Sequence, residues 1–244
     1  MGKSLNRNKR RHPRQVETAQ IITFKASKFD HERTLPPIKP LNATQADYLD
    51  ALRTGPQTVV LGPAGTGKTW IAATYAADLY RYKQISKIII TRPNVPCGRS
   101  LGFFPGSLRD KFAPWAAPLA DAIKERIGTA AYEIALKNED IEMVPFEVMR
   151  GRSWKDAFVI LDEAQNTTAT EIKTFLTRIG EDCTVVINGD VSQCDLGDAS
   201  GLRTVLDLIR AKNLPVPVIE FTLADVVRSG ICAMWVRAFE EARI

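Results

Sequence analysis

Thr58-Val59-Val60-Leu61-Gly62-Pro63-Ala64-Gly65-Thr66-Gly67-Lys68-Thr69 is the stretch that decides the fold. Its first residues form an apolar run of strand length, and the last eight fit G-x-x-x-x-G-K-T. An alanine-rich helical pattern follows from about Lys68 to Tyr82. Strand, glycine turn and helix in this order predict a phosphate-binding loop. Glycines let successive backbone N–H groups point inward at phosphate oxygens, and the helix start adds the positive end of its dipole. With glycine at its average of about 7%, chance produces such a string roughly once in a hundred chains of this length. Gly62, Pro63, Ala64, Gly65, Thr66 and Gly67 then form the cradle. Lys68 is placed to bridge the β- and γ-phosphates of ATP, and Thr69 to hold Mg2+.

Downstream, Lys87 to Thr91 reads as a second strand, which makes a strand-turn-helix-strand unit and implies an α/β domain with a parallel sheet. Val159-Ile160-Leu161-Asp162-Glu163 is an apolar strand ending in two acids, as expected where the carboxyl edge of a sheet meets a nucleotide. Asp162 is the expected magnesium ligand. Glu163 is the expected base that draws a proton from the attacking water, which favours hydrolysis over phosphoryl transfer to a metabolite. Acids after a strand are also common helix caps, and it is the phosphate loop that selects the catalytic reading. Asn188-Gly189-Asp190-Val191-Ser192-Gln193 ends the next strand, and Gln193 is the expected γ-phosphate sensor. Upstream, Gln45 in Asn42-Ala43-Thr44-Gln45 is placed to read an adenine edge, a weak signal because glutamine near a helix start is common.

Outward from these strings, Asn42 or Thr44 caps a helix through Tyr48, Leu49 and Leu52 that Gly55-Pro56 stops. Pro93 to Pro118, rich in Gly and Pro and carrying Phe103, Phe104, Phe112 and Trp115, reads as a long functional loop. Its aromatics with Arg99, Arg109 and Lys111 suit either stacking on single-stranded bases or core and subunit contacts. Arg150 and Arg152 similarly face either nucleic acid or nearby acids. Further helices are marked by Leu119, Ile123 and Ile127, by Ile172, Phe175, Leu176 and Ile179, by Leu202, Val205, Leu206 and Ile209, and by Ile231, Met234, Trp235 and Ala238. Thr184 to Asn188 and Val216 to Thr222 complete the strands.

The 244 residues carry a net charge of +5, unevenly spread. Residues 1–14 hold Lys3, Arg7, Lys9, Arg10, Arg11 and Arg14 and no acid; the other 27 basic residues face all 28 acidic ones, a balance of −1. A basic arm over residues 1–40, ending in the stiff Pro36-Pro37 connector, therefore precedes a domain over residues 41–244. Such an arm either attracts phosphate backbones through counterion release or is a solvated tail. No apolar run approaches the roughly 18 residues of a membrane span, and no secretory signal precedes the domain, which leads to the expectation of a cytoplasmic protein without a membrane partner. Cys97, Cys183, Cys194 and Cys232 lack a C-x-x-C pair and are expected to be small core residues.

Taken together, Gly62 to Thr69, Gly98-Arg99-Ser100-Leu101-Gly102-Phe103-Phe104-Pro105-Gly106, Met149-Arg150-Gly151-Arg152, Leu161-Asp162-Glu163-Ala164-Gln165-Asn166, Leu176-Thr177-Arg178-Ile179-Gly180, Gly189-Asp190 with Gln193, and Asp225-Val226-Val227-Arg228 resemble the PhoH family. The resemblance implies a RecA-like P-loop ATPase of bacteria or phages, cytosolic, associated with phosphate starvation and similar to the first motor lobe of superfamily one helicases. Gly189 to Gln193 would correspond to a γ-phosphate-sensing motif. Two departures stand out: Ser229 replaces a histidine frequent in the family, and a PIN nuclease region is absent, so RNA cleavage is not implied. The resulting expectation is Mg-dependent ATP hydrolysis coupled to RNA or single-stranded nucleic acid. Its rivals are a nucleotide-dependent switch or assembly factor acting on a protein partner, and a small-molecule kinase. One lobe leaves the site to be completed by a neighbouring copy, hence a homo-oligomeric ring, plausibly a hexamer. Arg228 is the first choice for the arginine finger and Arg178 the second, each with an ion pair as the plainer reading.

Overall fold

Short apolar runs become the strands of one sheet: β1 (Gln57–Leu61), β2 (Lys87–Thr91), β3 (Ile141–Met143), β4 (Ala157–Leu161), β5 (Thr184–Gly189) and β6 (Val218–Glu220). The structure is a computed structural model, which describes residues 35–93, 108–193, 199–228, 230, 231, 234, 235 and 238. The basic stretch 1–14, Phe103, Phe104, and Cys97, Cys194 and Cys232 lie outside the described residues; Cys183 is buried. Strand order is β3-β2-β4-β5-β1-β6, and every pairing is parallel. Because β5 lies between β1 and β4, the glycine turn after β1 and the acids after β4 reach the same carboxyl edge with one strand between them. This is the RecA-like P-loop arrangement.

Alternation along each strand divides the core into two layers. Val60, Ile88, Ile90, Phe158, Ile160 and Val186 face α1 (Ala43–Thr54), α2 (Lys68–Arg81), α3 (Leu108–Ile127) and α4 (Thr129–Lys137). On the other face Val59, Leu61, Ile89, Val159, Leu161, Val185 and Ile187 meet α5 (Ala169–Leu176) and α6 (Gly201–Lys212). With both faces covered, the strands need near-continuous apolar runs, which is why all but the three-residue β3 were legible. Asn42, rather than Thr44, caps α1 by accepting the Gln45 N–H at 2.8 Å. The alanines of α2 are fully buried, which lets it lie close against the sheet and α3.

The stretch Pro93 to Pro118 differs most from its reading as a loop. From Leu108 onward it is helix α3, with Pro114 and Pro118 inside. Each interior proline costs about 3 kcal/mol. Here both are exposed, while Phe112, Ala116, Leu119, Ala120 and Ile123 form a buried stripe at helical spacing whose burial offsets that cost. Phe112 therefore belongs to the core. Trp115 is half-buried: its carbonyl accepts from Arg92 at 2.9 Å, and the Arg92 guanidinium lies 6.0 Å from its ring centroid. Arg152 pairs with Glu142 at 2.6 Å. Helix α5 stops at Leu176, because Ile179 instead forms a bridge with Trp154. Ile231, Met234 and Trp235 are helical but exposed. Ahead of α1, Ile38 packs against the core and the Pro36 carbonyl accepts from Arg126 at 2.8 Å, so this end of the connector is fastened to the domain.

Candidate active site

The glycine turn leaves β1 at Gly62, whose φ of +130° only glycine adopts readily, and whose missing side chain leaves room for the Phe221 carbonyl. Gly62 N–H continues the ladder to the Gly189 carbonyl at 3.1 Å, so the loop starts level with the tip of β5. Lys68 opens α2 and folds back over the loop, donating to the carbonyls of Gly62 and Pro63. Burial pushes its pKa below that of an ordinary lysine, while Asp190, Asp162 and Glu163 pull it back up. Its Nζ is a donor held over the cradle.

Beside it, Thr69 Oγ1 donates to Asp162 Oδ1 at 3.0 Å. Asp162 is 5% exposed at the end of β4. Burial, and then the Glu163 charge, raise its pKa, against Arg92, Thr69 and Asn188. A hydroxyl in the first turn of α2 and a desolvated carboxylate at the end of β4, both hard oxygen donors, fit magnesium. When bound, that ion would neutralise phosphate charge.

Glu163 has left-handed backbone, φ +55°, which turns the chain sharply after β4. Its carboxylate accepts from Gln165 Nε2 at 2.6 Å and has Arg92 3.8 Å away. Gln165, 1% exposed, also accepts the Asp190 N–H at 3.1 Å, and so ties Glu163 to the tip of β5. In the sequence Gln165 enters only within the string Leu161 to Asn166, without a role, since nothing in its spacing marks a glutamine two places after the acid. Asp190 is itself fixed by Ser192, whose N–H and hydroxyl donate at 2.9 and 2.7 Å. Gln193 stands exposed on the turn that follows, its N–H on the Asp190 carbonyl at 3.3 Å. A cleft of about 710 Å³ lined by Gly62, Pro63, Asp190, Ser192, Arg203 and Glu220 adjoins the loop, and Lys68, Thr69, Asp162 and Glu163 are not part of its lining.

Gln45 is 4% exposed and spans α1 and the loop: its Oε1 accepts the Leu41 N–H at 2.8 Å and its Nε2 donates to the Thr66 carbonyl at 2.9 Å. In this arrangement it braces the loop. Reading an adenine edge would require exchanging these bonds for bonds to the base. Arg228 lies against Gly65 of its own chain. Arg178 is at the opposite edge of the sheet: its carbonyl accepts from Trp154, ahead of the start of β4.

The segment carrying Arg228 is fastened through Asp225, which accepts from Thr222 N–H at 2.8 Å and Thr44 Oγ1 at 3.0 Å. Burial pushes the Asp225 carboxyl up, but the N–H and hydroxyl of Thr222 and the hydroxyl of Thr44 outweigh it, and its pKa falls below the usual value. A carboxylate depressed by folding adds stability above its ordinary pKa and loses it as pH falls through the lowered one. Asp225→Ala is therefore expected to speed hydrogen exchange of the Val227 amide at neutral pH. In the intact protein the same loosening is expected only below the ordinary carboxylate range; exchange unchanged by the substitution would show that Asp225 holds nothing.

Among the described residues no helix is long and apolar enough to cross a membrane. The family model described as "PhoH-like protein" matches residues 37–240. Protein PhoH of Escherichia coli (strain K12) is 41% identical over 211 residues, covering 85% of this chain and 59% of that protein. A PhoH-like protein of Bacillus subtilis (strain 168) is 41% identical over 199 residues, 81% of this chain and 62% of the relative. The chain thus spans about three-fifths of the length of these relatives. Among solved structures, the large terminase of a thermophilic bacteriophage superposes with a TM-score of 0.48 at 10% identity, covering 82% of this chain and 50% of that one. The UvsW helicase of bacteriophage T4 gives 0.46 at 14% identity, covering 75% and 61%. A phosphate loop, paired acids and a polar β5 tip on one sheet edge, in a chain matched over residues 37–240, place this protein in the PhoH family.

Proposed function

We propose that this domain hydrolyses ATP with magnesium and couples the cycle to RNA or another single-stranded nucleic acid. The observation that supports hydrolysis most is the convergence of Lys68, the Thr69–Asp162 pair and Glu163 on one strand-end edge, with Glu163 held by Gln165. Lys68 and the loop amides grip the phosphates; Thr69 and Asp162 hold the cation; Glu163 takes the proton of the attacking water. Gln193 on the β5 tip senses the γ-phosphate once a nucleotide draws the turn inward. A second copy closing over this open edge supplies the other wall, which favours a homo-oligomeric ring.

Coupling to nucleic acid rests on the family and on the basic arm. RNA, single-stranded DNA or neither should be added to the ATPase reaction: a rise in turnover with either polymer is expected, and a rate indifferent to both would favour the switch reading. For the arm, each neutralised phosphate of a single strand contributes about 0.7 to the log–log salt slope, so the six charges of residues 1–14 imply a slope change of roughly 4 on their deletion. Paired salt titrations on one labelled oligonucleotide, full length against truncated, read it directly; equal slopes would make the arm a solvated tail.

A further inference from the structure

We propose that Arg228 contacts the nucleotide held by its own chain's phosphate loop, so that a neighbouring copy need not supply this arginine. The inference rests on the ATP-binding reading above and goes beyond it in assigning the arginine to the same subunit. The chain after β6 is strapped along the loop at successive points. Phe221 N–H donates to the Leu61 carbonyl at 2.8 Å, and its own carbonyl lies over Gly62. Asp225 is bound to Thr44 at 3.0 Å, and its carbonyl accepts from Asn42 at 3.3 Å, which fixes the strap to the start of α1. Val227 N–H then donates to the Gly65 carbonyl at 3.0 Å. The same end of α1 holds the loop from its other side through Gln45 and Thr66.

Arg228 follows directly. Gly65 has φ +85°, and a Cβ built on it would stand 3.0 Å from Arg228 Cγ and Cδ and 3.2 Å from Nε. The space a side chain would occupy in the middle of the loop is thus filled by the arginine stem, which brings Nε, the first nitrogen of the guanidinium, beside Gly65. Its planar fork suits paired phosphate oxygens. Serving a neighbour would require the Arg228 side chain to swing away from Gly65, whereas the Val227 bond fixes its backbone beside the loop of its own chain. Arg178 has the complementary limitation: seated ahead of β4 beside Trp154, at the other end of the strand from Asp162, it cannot reach its own nucleotide.

The test has two parts, both on the full chain. Fluorescent ATP with magnesium is titrated into wild type, Arg228→Ala and Arg228→Lys at dilutions where sedimentation shows monomer. A lost charge-assisted contact should weaken binding in Arg228→Ala by about tenfold to a hundredfold, with partial recovery in Arg228→Lys. Unchanged melting and Val227 amide exchange control for damage to the strap. Wild-type affinity in dilute Arg228→Ala would overturn the proposal. In the second part Lys68→Ala and Arg228→Ala subunits, shown to exchange, are mixed and assayed for phosphate release. No recovery above the separate activities is expected; recovery would place Arg228 across an interface and overturn the proposal. Wild type that binds ATP without hydrolysing it would sink the hydrolase reading while leaving the binding test of Arg228 intact, and wild type that binds no nucleotide would overturn both.

Discussion

Lys68→Ala is expected to abolish detectable ATP binding, a loss of at least about a hundredfold, because truncating one partner of a desolvated charge pair costs several kcal/mol. Lys68 is the cation that the loop sequence places over the phosphates, and it lies across the cradle through the Gly62 and Pro63 carbonyls. Its removal takes away the phosphate contact and also loosens the loop that presents the backbone amides. Calorimetric titration with ATP and magnesium reads the loss, and thermal melting separates it from unfolding. Binding within a few fold of wild type would mean that the loop amides alone hold the phosphates.

Glu163→Gln is expected to separate binding from turnover. The amide keeps the volume of the acid and an acceptor for Gln165, so the tie to the β5 tip survives, and ATP affinity should stay within a few fold of wild type. Turnover should fall at least about a hundredfold, the usual scale for losing a general base. Stopped-flow binding and phosphate release on the same preparation measure both quantities. Unchanged turnover would reduce Glu163 to a residue that shapes the bend after β4, a role its left-handed backbone also fits.

What was legible in the sequence was what is encoded locally. The run Thr58 to Thr69 carries its own strand, turn and helix start, and Asp162-Glu163 needs only the strand before it to be placed at the sheet edge. The second half of helix α3 was legible at Leu119, Ile123 and Ile127, but its first half, read as loop, was not, because proline is a local signal and the buried stripe from Phe112 to Ile123 a tertiary one, and the stripe prevailed. Strand β3, three residues long at the sheet edge, and the nine-residue helix α4 before it are too short for periodicity to mark. The contacts of Gln165 and of the Phe221–Arg228 strap were illegible for another reason. Their partners, Asp190 and Gly65, lie far away in the chain: Gln165 meets Asp190 because β4 pairs with β5, and the strap meets Gly65 because β6 pairs with β1. Gln45 was noticed, but its engagement with Thr66 depends on how α1 docks on the loop. The pairing of Arg152 with Glu142 similarly became visible only once β3 was in place.

In the proposed cycle Lys68, Thr69, Asp162 and Glu163 act as one hydrolytic site for magnesium and ATP. Phosphate release from ATP by the intact chain, followed with magnesium and again after EDTA, alongside Lys68→Ala and Glu163→Gln, tests it most directly. The expected result is steady release by wild type that stops on chelation, none from Lys68→Ala, and at most about a hundredth of the rate from Glu163→Gln. Wild type that binds ATP yet releases no phosphate, with or without RNA, or a Glu163→Gln variant as fast as wild type, would contradict the claim.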